Sequence, residues 1–228
     1  MLKFTPILLL FLYLAAMWFF SAWRLKHDLN EKSTPLQHPR LTPMLKRLGD
    51  AMDLPPVKAH IYEVEPVNGL AAPDGRIFLT RGFICKLDAC EVTPEELASV
   101  IAHELGHVAH GHARRRMIDF AGQNAIRMAL TGILGRFLPG IGAWIAAMVA
   151  NAVAARLSRQ DEFEADRFAS ALMIRAGLGT EPQKALFRKL DRLSGGAGAG
   201  TPAWLLSHPP TPRRIAAIEA HEKRWTDG

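Results

Sequence analysis

Two cysteines in 228 residues are too few for a disulfide scaffold, and Cys85 and Cys90 are too far apart to form a Cys-x-x-Cys pair. The expectation for both is a small buried apolar side chain. Charge is also scarce: charged residues make up 22% of the chain against 49% hydrophobic residues, which excludes a disordered tail or a low-complexity linker. There is no internal repeat. No motif that reads nucleic acid accompanies the net charge of +6, so an anionic lipid surface is the better expectation and nucleic acid is not expected as a partner. The length suits one domain with an appendage, and is sufficient for a real core.

The apolar residues that are present are unevenly spread. Residues 4–23 carry no charge. As a helix rising about 1.5 Å per residue they span roughly 30 Å, the thickness of a hydrocarbon layer. Pro6 falls in the first turn and Trp18 and Trp23 suit the far interface. The expectation is a single-pass anchor over 1–23. A cleaved signal peptide is the competing reading; against it stand a charged head of only Lys3 and the absence of an Ala-x-Ala site. Arg24, Lys26, Lys32 and Arg40 follow the span, so the positive-inside rule leans toward a cytoplasmic main domain. A second apolar stretch, 118–155, is broken by Pro139-Gly140. It reads as a helical hairpin, buried in the protein or dipping into one leaflet.

Between and beyond these stretches the pattern is mostly helical with a small sheet, an α+β class weighted toward α. Residues 24–40 read as a linker. Thr42-Pro43 opens a short helix with Met44, Leu45, Leu48 and Met52 on one face, closed by Pro55-Pro56. Residues 57–64 read as a strand. Residues 68–72 and 76–80 flank Pro73-Asp74-Gly75 as a hairpin. Thr93-Pro94-Glu95-Glu96 carries a capping box and starts a helix. Further helices are expected over 160–176 (stopped by Gly177), 181–193 and 211–224, with a flexible glycine-rich loop at 195–200.

The chemistry sits in the capped helix, which contains His103-Glu104-Leu105-Gly106-His107. Residues four apart share a helix face, so both imidazoles can hold one metal ion. Glu104 is placed to work on a metal-bound water, whose pKa zinc lowers to about 7. A catalytic zinc needs a third protein ligand and an open position. Glu162 and Asp166, again four apart, supply a ligand and an acceptor for a ring N–H of a ligating histidine. Glu164 points elsewhere on that helix and reads as a surface residue. His103, His107 and Glu162 must lie on one side of any membrane, so one further crossing between them is forbidden. Two crossings need about forty apolar residues, more than are present, and a re-entrant or interfacial hairpin fits.

With these residues the chain resembles the membrane-associated zinc metallopeptidases of the HtpX, CAAX prenyl protease and Oma type. The resemblance rests on three ordered motifs, HELGH at 103–107, SRQDEFEAD at 158–166 and HPPTPRRI at 208–215, and covers roughly residues 40–222. It implies a zincin-like domain over 41–228 and one Zn²⁺ per chain held by His103, His107 and Glu162. It also implies Glu104 as the base and His208 beside the scissile carbonyl, with Arg214 as its neighbour there. A purely structural role for His208 before its Pro-Pro turn stays open. The family's edge strand maps to Asn68, Gly69, Leu70, Ala71 and Ala72, where a substrate peptide can add as a further strand. Gly69 stands where alanine is usual. His112 matches a histidine common in the family and is not carried over as a ligand. Arg114-Arg115-Arg116 reads as a solvated or lipid-facing patch. The function implied is a membrane-anchored zinc endopeptidase acting on protein or peptide substrates, including misfolded membrane proteins. Two alternatives stay open: a membrane-bound chaperone or adaptor that keeps the fold without cutting, and a zinc-stabilised structural domain.

Overall fold

The sharpest local instruction in the chain is at Thr93, and the computed structural model shows it obeyed. The structure describes residues 23–72, 74–112, 141–194 and 211–226, with a few scattered positions among 12–20 and 131–136. The Thr93 hydroxyl accepts from the Glu96 backbone N–H at 3.2 Å, and the Glu96 carboxylate accepts from the Thr93 N–H at 2.9 Å. Two orphan donors of the helix start are thereby satisfied.

In chain order the described elements are β1 (Ser33–Pro35), α1 (Thr42–Asp50), β2 (Ala59–Tyr62), β3 (Gly69–Ala71), β4 (Ile77–Thr80), α2 (Arg81–Asp88), α3 (Pro94–Ala109), α4 (Gly142–Arg175), α5 (Glu181–Ser194) and α6 (Thr211–Thr226). The mostly helical class with one small sheet is as the sequence patterning leads one to expect. The sheet has the order β1-β2-β4-β3. β2 and β4 pair in parallel with Ala59 opposite Ile77, while β3 runs antiparallel to β4 with Gly69 opposite Leu79. All four residues of β4 are buried, as befits an inner strand covered on both faces. β3 is left as an edge, and α3 lies against it.

The core joins this sheet to the helices. Leu48 of α1, Leu79 of β4, Phe83 and Leu87 of α2, Leu97 and Ile101 of α3, Met173 of α4 and Leu186 of α5 form one cluster, each almost wholly removed from water. α3 is therefore enclosed along most of its length, which fixes its axis. α4 crosses it at Gly106. A Cβ built on Gly106 would stand 2.9 Å from both the Cα and the carbonyl oxygen of Ala165, so the two helices touch backbone to backbone at that turn.

Three expectations change. Cys85 and Cys90 are both exposed, not buried. Phe83, Ile84 and Leu87 take the inward face of α2 and turn Cys85 out, and Cys90 follows the helix end at φ +57°. The 24–40 segment is more than a linker: residues 23–31 are helical and β1 joins the sheet, with Pro35 tolerated because the strand is an edge. The second half of the 118–155 hairpin is not a separate arm, because α4 runs without a break from Gly142 through the Glu162–Asp166 segment to Arg175. In its first turns Trp144 (65%), Met148 and Val149 are exposed. The other arm lies outside the described residues, as does most of the expected anchor at 1–23. Among the described residues no helix is long and apolar enough to cross a membrane.

Candidate metal centre

α3 and α4 carry the site between them, at the turn where Gly106 lets them meet. His103 and His107, one helical turn apart, present their Nε2 atoms 3.1 Å from each other. Glu162 closes the triangle, with Oε2 3.4 Å from His103 Nε2 and Oε1 3.5 Å from His107 Nε2. Zinc bonds of about 2.0–2.1 Å at tetrahedral angles put neighbouring ligand atoms about 3.3–3.4 Å apart. Each imidazole nitrogen therefore has one Glu162 oxygen, a different one for each ring, at about the ligand-to-ligand spacing of a tetrahedral zinc, and two imidazoles plus a carboxylate are a donor set that suits it. His103 and Glu162 are each 1% exposed, while the His107 side chain is 11% exposed, so one side of the triangle opens outward.

Glu104, next to His103 in the chain, is buried on α3 with its carboxylate toward β3. A Cβ built on Gly69 would lie 3.5 Å from Glu104 Oε1 and only 2.6 Å from Val100 Cγ1. The absence of a side chain at 69 is thus what lets the edge strand come so close to this carboxylate. Asn68 anchors the start of that strand, its N–H donating to Thr80 Oγ1 at 2.9 Å, and Ala72 closes the hairpin by donating to the Arg76 carbonyl at 2.8 Å. Leu70 and Ala71 complete β3 between them.

The far side of the His103 ring is held by a buried polar cluster. Its Nδ1 lies 2.9 Å from Asp166 Oδ1, which leaves Nε2 to face the other donors. Arg214 of α6 donates to both Asp166 oxygens at 2.6 Å, and its guanidinium stacks 4.2 Å over the Phe187 ring. Gln183 of α5 donates to the Asp166 carbonyl at 3.4 Å and accepts from Ser170 Oγ at 2.7 Å. Arg214, expected beside the oxyanion, therefore sits behind His103, on the Nδ1 side of the ring. His208 lies outside the described residues. For the side chains alone, burial would lower the His103 pKa. The hydrogen bonds to Asp166 and Glu162 outweigh it and raise the value to about 9. Burial would raise the Asp166 pKa, but the charge and hydrogen bonds of Arg214 hold it well below the usual carboxylate range.

The spacing of residues along the two helices was readable in advance, but some partners were not. Gly106 sits inside the HELGH motif and its role as the crossing point leaves no mark in a single sequence. Gln183 and Ser170 look like ordinary helix residues. Glu164, read as a surface residue, is half-exposed but reaches His112 at 3.2 Å.

A helical domain with a four-stranded sheet, two histidines one turn apart, a glutamate between them and a facing glutamate from a second helix together point to a metallopeptidase domain. The profile of peptidase family M48 matches residues 35–222, and the chain belongs to that family. It is similar to metalloprotease YcaL of Escherichia coli (strain K12), with 30% identity over 179 residues, which cover 78% of this chain and 67% of YcaL. It is also similar to metalloprotease LoiP of the same organism, at 30% over 160 residues, covering 69% of this chain and 60% of LoiP. Protease HtpX of Pseudomonas aeruginosa (strain LESB58) is 29% identical over 157 residues, covering 56% of this chain and 54% of HtpX. The chain thus spans between about half and two thirds of the length of these relatives.

Proposed function

We propose that the chain is a membrane-anchored zinc endopeptidase in which His103, His107 and Glu162 hold one Zn²⁺. The observation that carries this reading is the meeting of two imidazole nitrogens 3.1 Å apart with the Glu162 carboxylate, one oxygen 3.4 Å from His103 and the other 3.5 Å from His107, and Glu104 buried on the same helix as the two histidines. When bound, zinc supplies a Lewis acid that polarises the peptide carbonyl and lowers the pKa of an attacking water to about 7. Glu104 takes the proton from that water and passes it to the leaving amine nitrogen. Asp166, backed by Arg214, keeps the proton of His103 on Nδ1 so that Nε2 is free to ligate. Among the described residues β3 is the last strand of the sheet, and a substrate strand can lie along its edge beside Glu104. His208 is assigned to the oxyanion through its place in the HPPTPRRI motif.

The membrane part of the reading rests on the uncharged run at 4–23 and on exposed apolar side chains at Phe19, Phe20 and Trp23, with Trp144 and Met148 on α4. A protease with such surfaces is suited to misfolded or membrane-inserted proteins. The test is casein cleavage by the full chain with zinc content measured in parallel. Glu104→Gln should keep one zinc per chain and lose cleavage by at least about a hundredfold, the contribution typical of a general base. A Glu104→Gln protein that cleaves like the wild type refutes the mechanism. A wild type that holds zinc and binds unfolded clients without cutting them favours the chaperone reading instead.

A further inference from the structure

α3 ends at Ala109, and the chain turns through Gly111 (φ +63°) to bring His112 back under His107. His112 is 1% exposed and lies against two carboxylates of α4, with its Nε2 3.2 Å from Glu164 Oε2 and 3.6 Å from Asp161 Oδ1. Asp161 and Glu164 are three apart and share a helix face, offset from the face that carries Glu162 and Asp166. The donor atoms of His112, Asp161 and Glu164 lie within 4.8 Å of one another, so by spacing alone the group is a second candidate cation site.

The ring nitrogens decide between the two uses. His107 faces the first centre with Nε2, so a neutral ring keeps its hydrogen on Nδ1. That Nδ1 is 2.7 Å from Nδ1 of His112. Two ring nitrogens this close share one hydrogen. His107 Nδ1–H therefore donates, His112 Nδ1 accepts, and the hydrogen of His112 is left on Nε2, pointing at Glu164 and Asp161. An Nε2 that carries a hydrogen cannot ligate. Conversely, a cation on His112 Nε2 would move its hydrogen to Nδ1 and leave His107 to hold zinc as an imidazolate. With neutral rings the two sites exclude each other.

On the reading that His103, His107 and Glu162 hold zinc, we propose that His112 is a positioning residue for His107. It links that ligand to the carboxylates of Glu164 and Asp161, and the pocket around it is not a second metal site. His103 meets its carboxylate directly, at Asp166; His107 meets its own through an intervening ring. The link orients the His107 ring, fixes its tautomer and passes the pull of two carboxylates to the ligating nitrogen.

Zinc affinity of the full chain, measured by competition with a chelator, tests this. The wild type should bind one zinc. His112→Leu should still bind one, about 10- to 100-fold more weakly, as is usual when such a partner is lost. The visible absorption of its cobalt-substituted form should also shift. His112→Asn, whose amide can stand where Nδ1 stood and accept the same hydrogen, should recover most of the loss. Wild-type affinity in a folded His112→Leu protein overturns the proposal. So does a wild type with two zinc ions, one of which His112→Leu removes. Should His112→Leu not fold, Glu164→Gln with Asp161→Asn decides: weaker zinc binding supports the link, and unchanged binding overturns it. A wild type that binds no zinc fails the metal centre itself, and is read before any variant.

Discussion

Replacing Gly106 by alanine changes one methyl group, yet the account predicts that it disturbs the whole centre. The new Cβ would stand 2.9 Å from the Ala165 Cα, 2.9 Å from the Ala165 carbonyl oxygen and 3.2 Å from the Phe168 Cβ. Carbon contacts relax at about 3.5–4.0 Å, so α3 and α4 would have to separate by about 0.6–1.1 Å. The atoms struck are largely backbone, and no side chain can swing aside to absorb the overlap. Overpacking of this kind costs about 1–3 kcal/mol. Ligand distances in a metal site tolerate only about 0.2 Å, and Glu162 and both histidines lie within one turn of the contact. If the helices part and must be drawn together again to close the site, the same strain weakens zinc binding by about 5- to 140-fold, at 1.4 kcal/mol per tenfold. If they stay together, the strain appears instead as lost stability of the metal-stripped protein. Urea unfolding of metal-stripped protein and chelator competition for zinc, measured together, capture both cases. A Gly106→Ala protein that matches the wild type in stability and in zinc affinity would refute the reasoning.

Arg214→Leu leaves Asp166 buried with its bidentate partner gone, and should cost about 3–5 kcal/mol in urea unfolding; a loss below about 1 kcal/mol would mean that Asp166 is solvated some other way. The pH dependence of the metal-stripped protein has a defined sign. The raised His103 pKa contributes stability that is complete below its ordinary value of 6.5 and is lost as pH rises through about 9. The lowered Asp166 pKa contributes stability that is complete above its ordinary value of 3.8 and is lost as pH falls through its depressed value. Together they favour the window from about pH 4 to 6.5. Zinc must also displace the His103 proton, so calorimetry at pH 7 in buffers of different ionisation enthalpy should register proton release on binding; none would contradict the assignment.

Much of this arrangement was legible because short-range patterns specify it. The capping box at Thr93 and the four-residue spacings 103/107 and 162/166 are local, and helix geometry converts each into a shared face. The turn signal in the sequence between the two strands marks the β3–β4 hairpin in the same way. What stayed hidden depends on which helix meets which. Gly106 is a crossing point only because α4 lies there, and Arg214 is a clamp only because α6 delivers it to Asp166. α2 leaves little trace in the sequence because its eight residues sit between a strand and a strong helix cap and offer few periodic positions. The unbroken run of α4 is masked in the sequence because the change from apolar to charged composition near residue 156 looks like a boundary, although nothing in the backbone interrupts it. The exposed cysteines reflect the same limit, since an average preference for burial cannot say which face of α2 turns inward.

Metal analysis of the purified full chain tests the central claim most directly. The account predicts one zinc per wild-type chain and a loss of nearly all of it in Glu162→Ala, whose carboxylate lies 3.4 and 3.5 Å from the two histidine nitrogens. A Glu162→Ala protein that keeps one zinc per chain at wild-type affinity would contradict it.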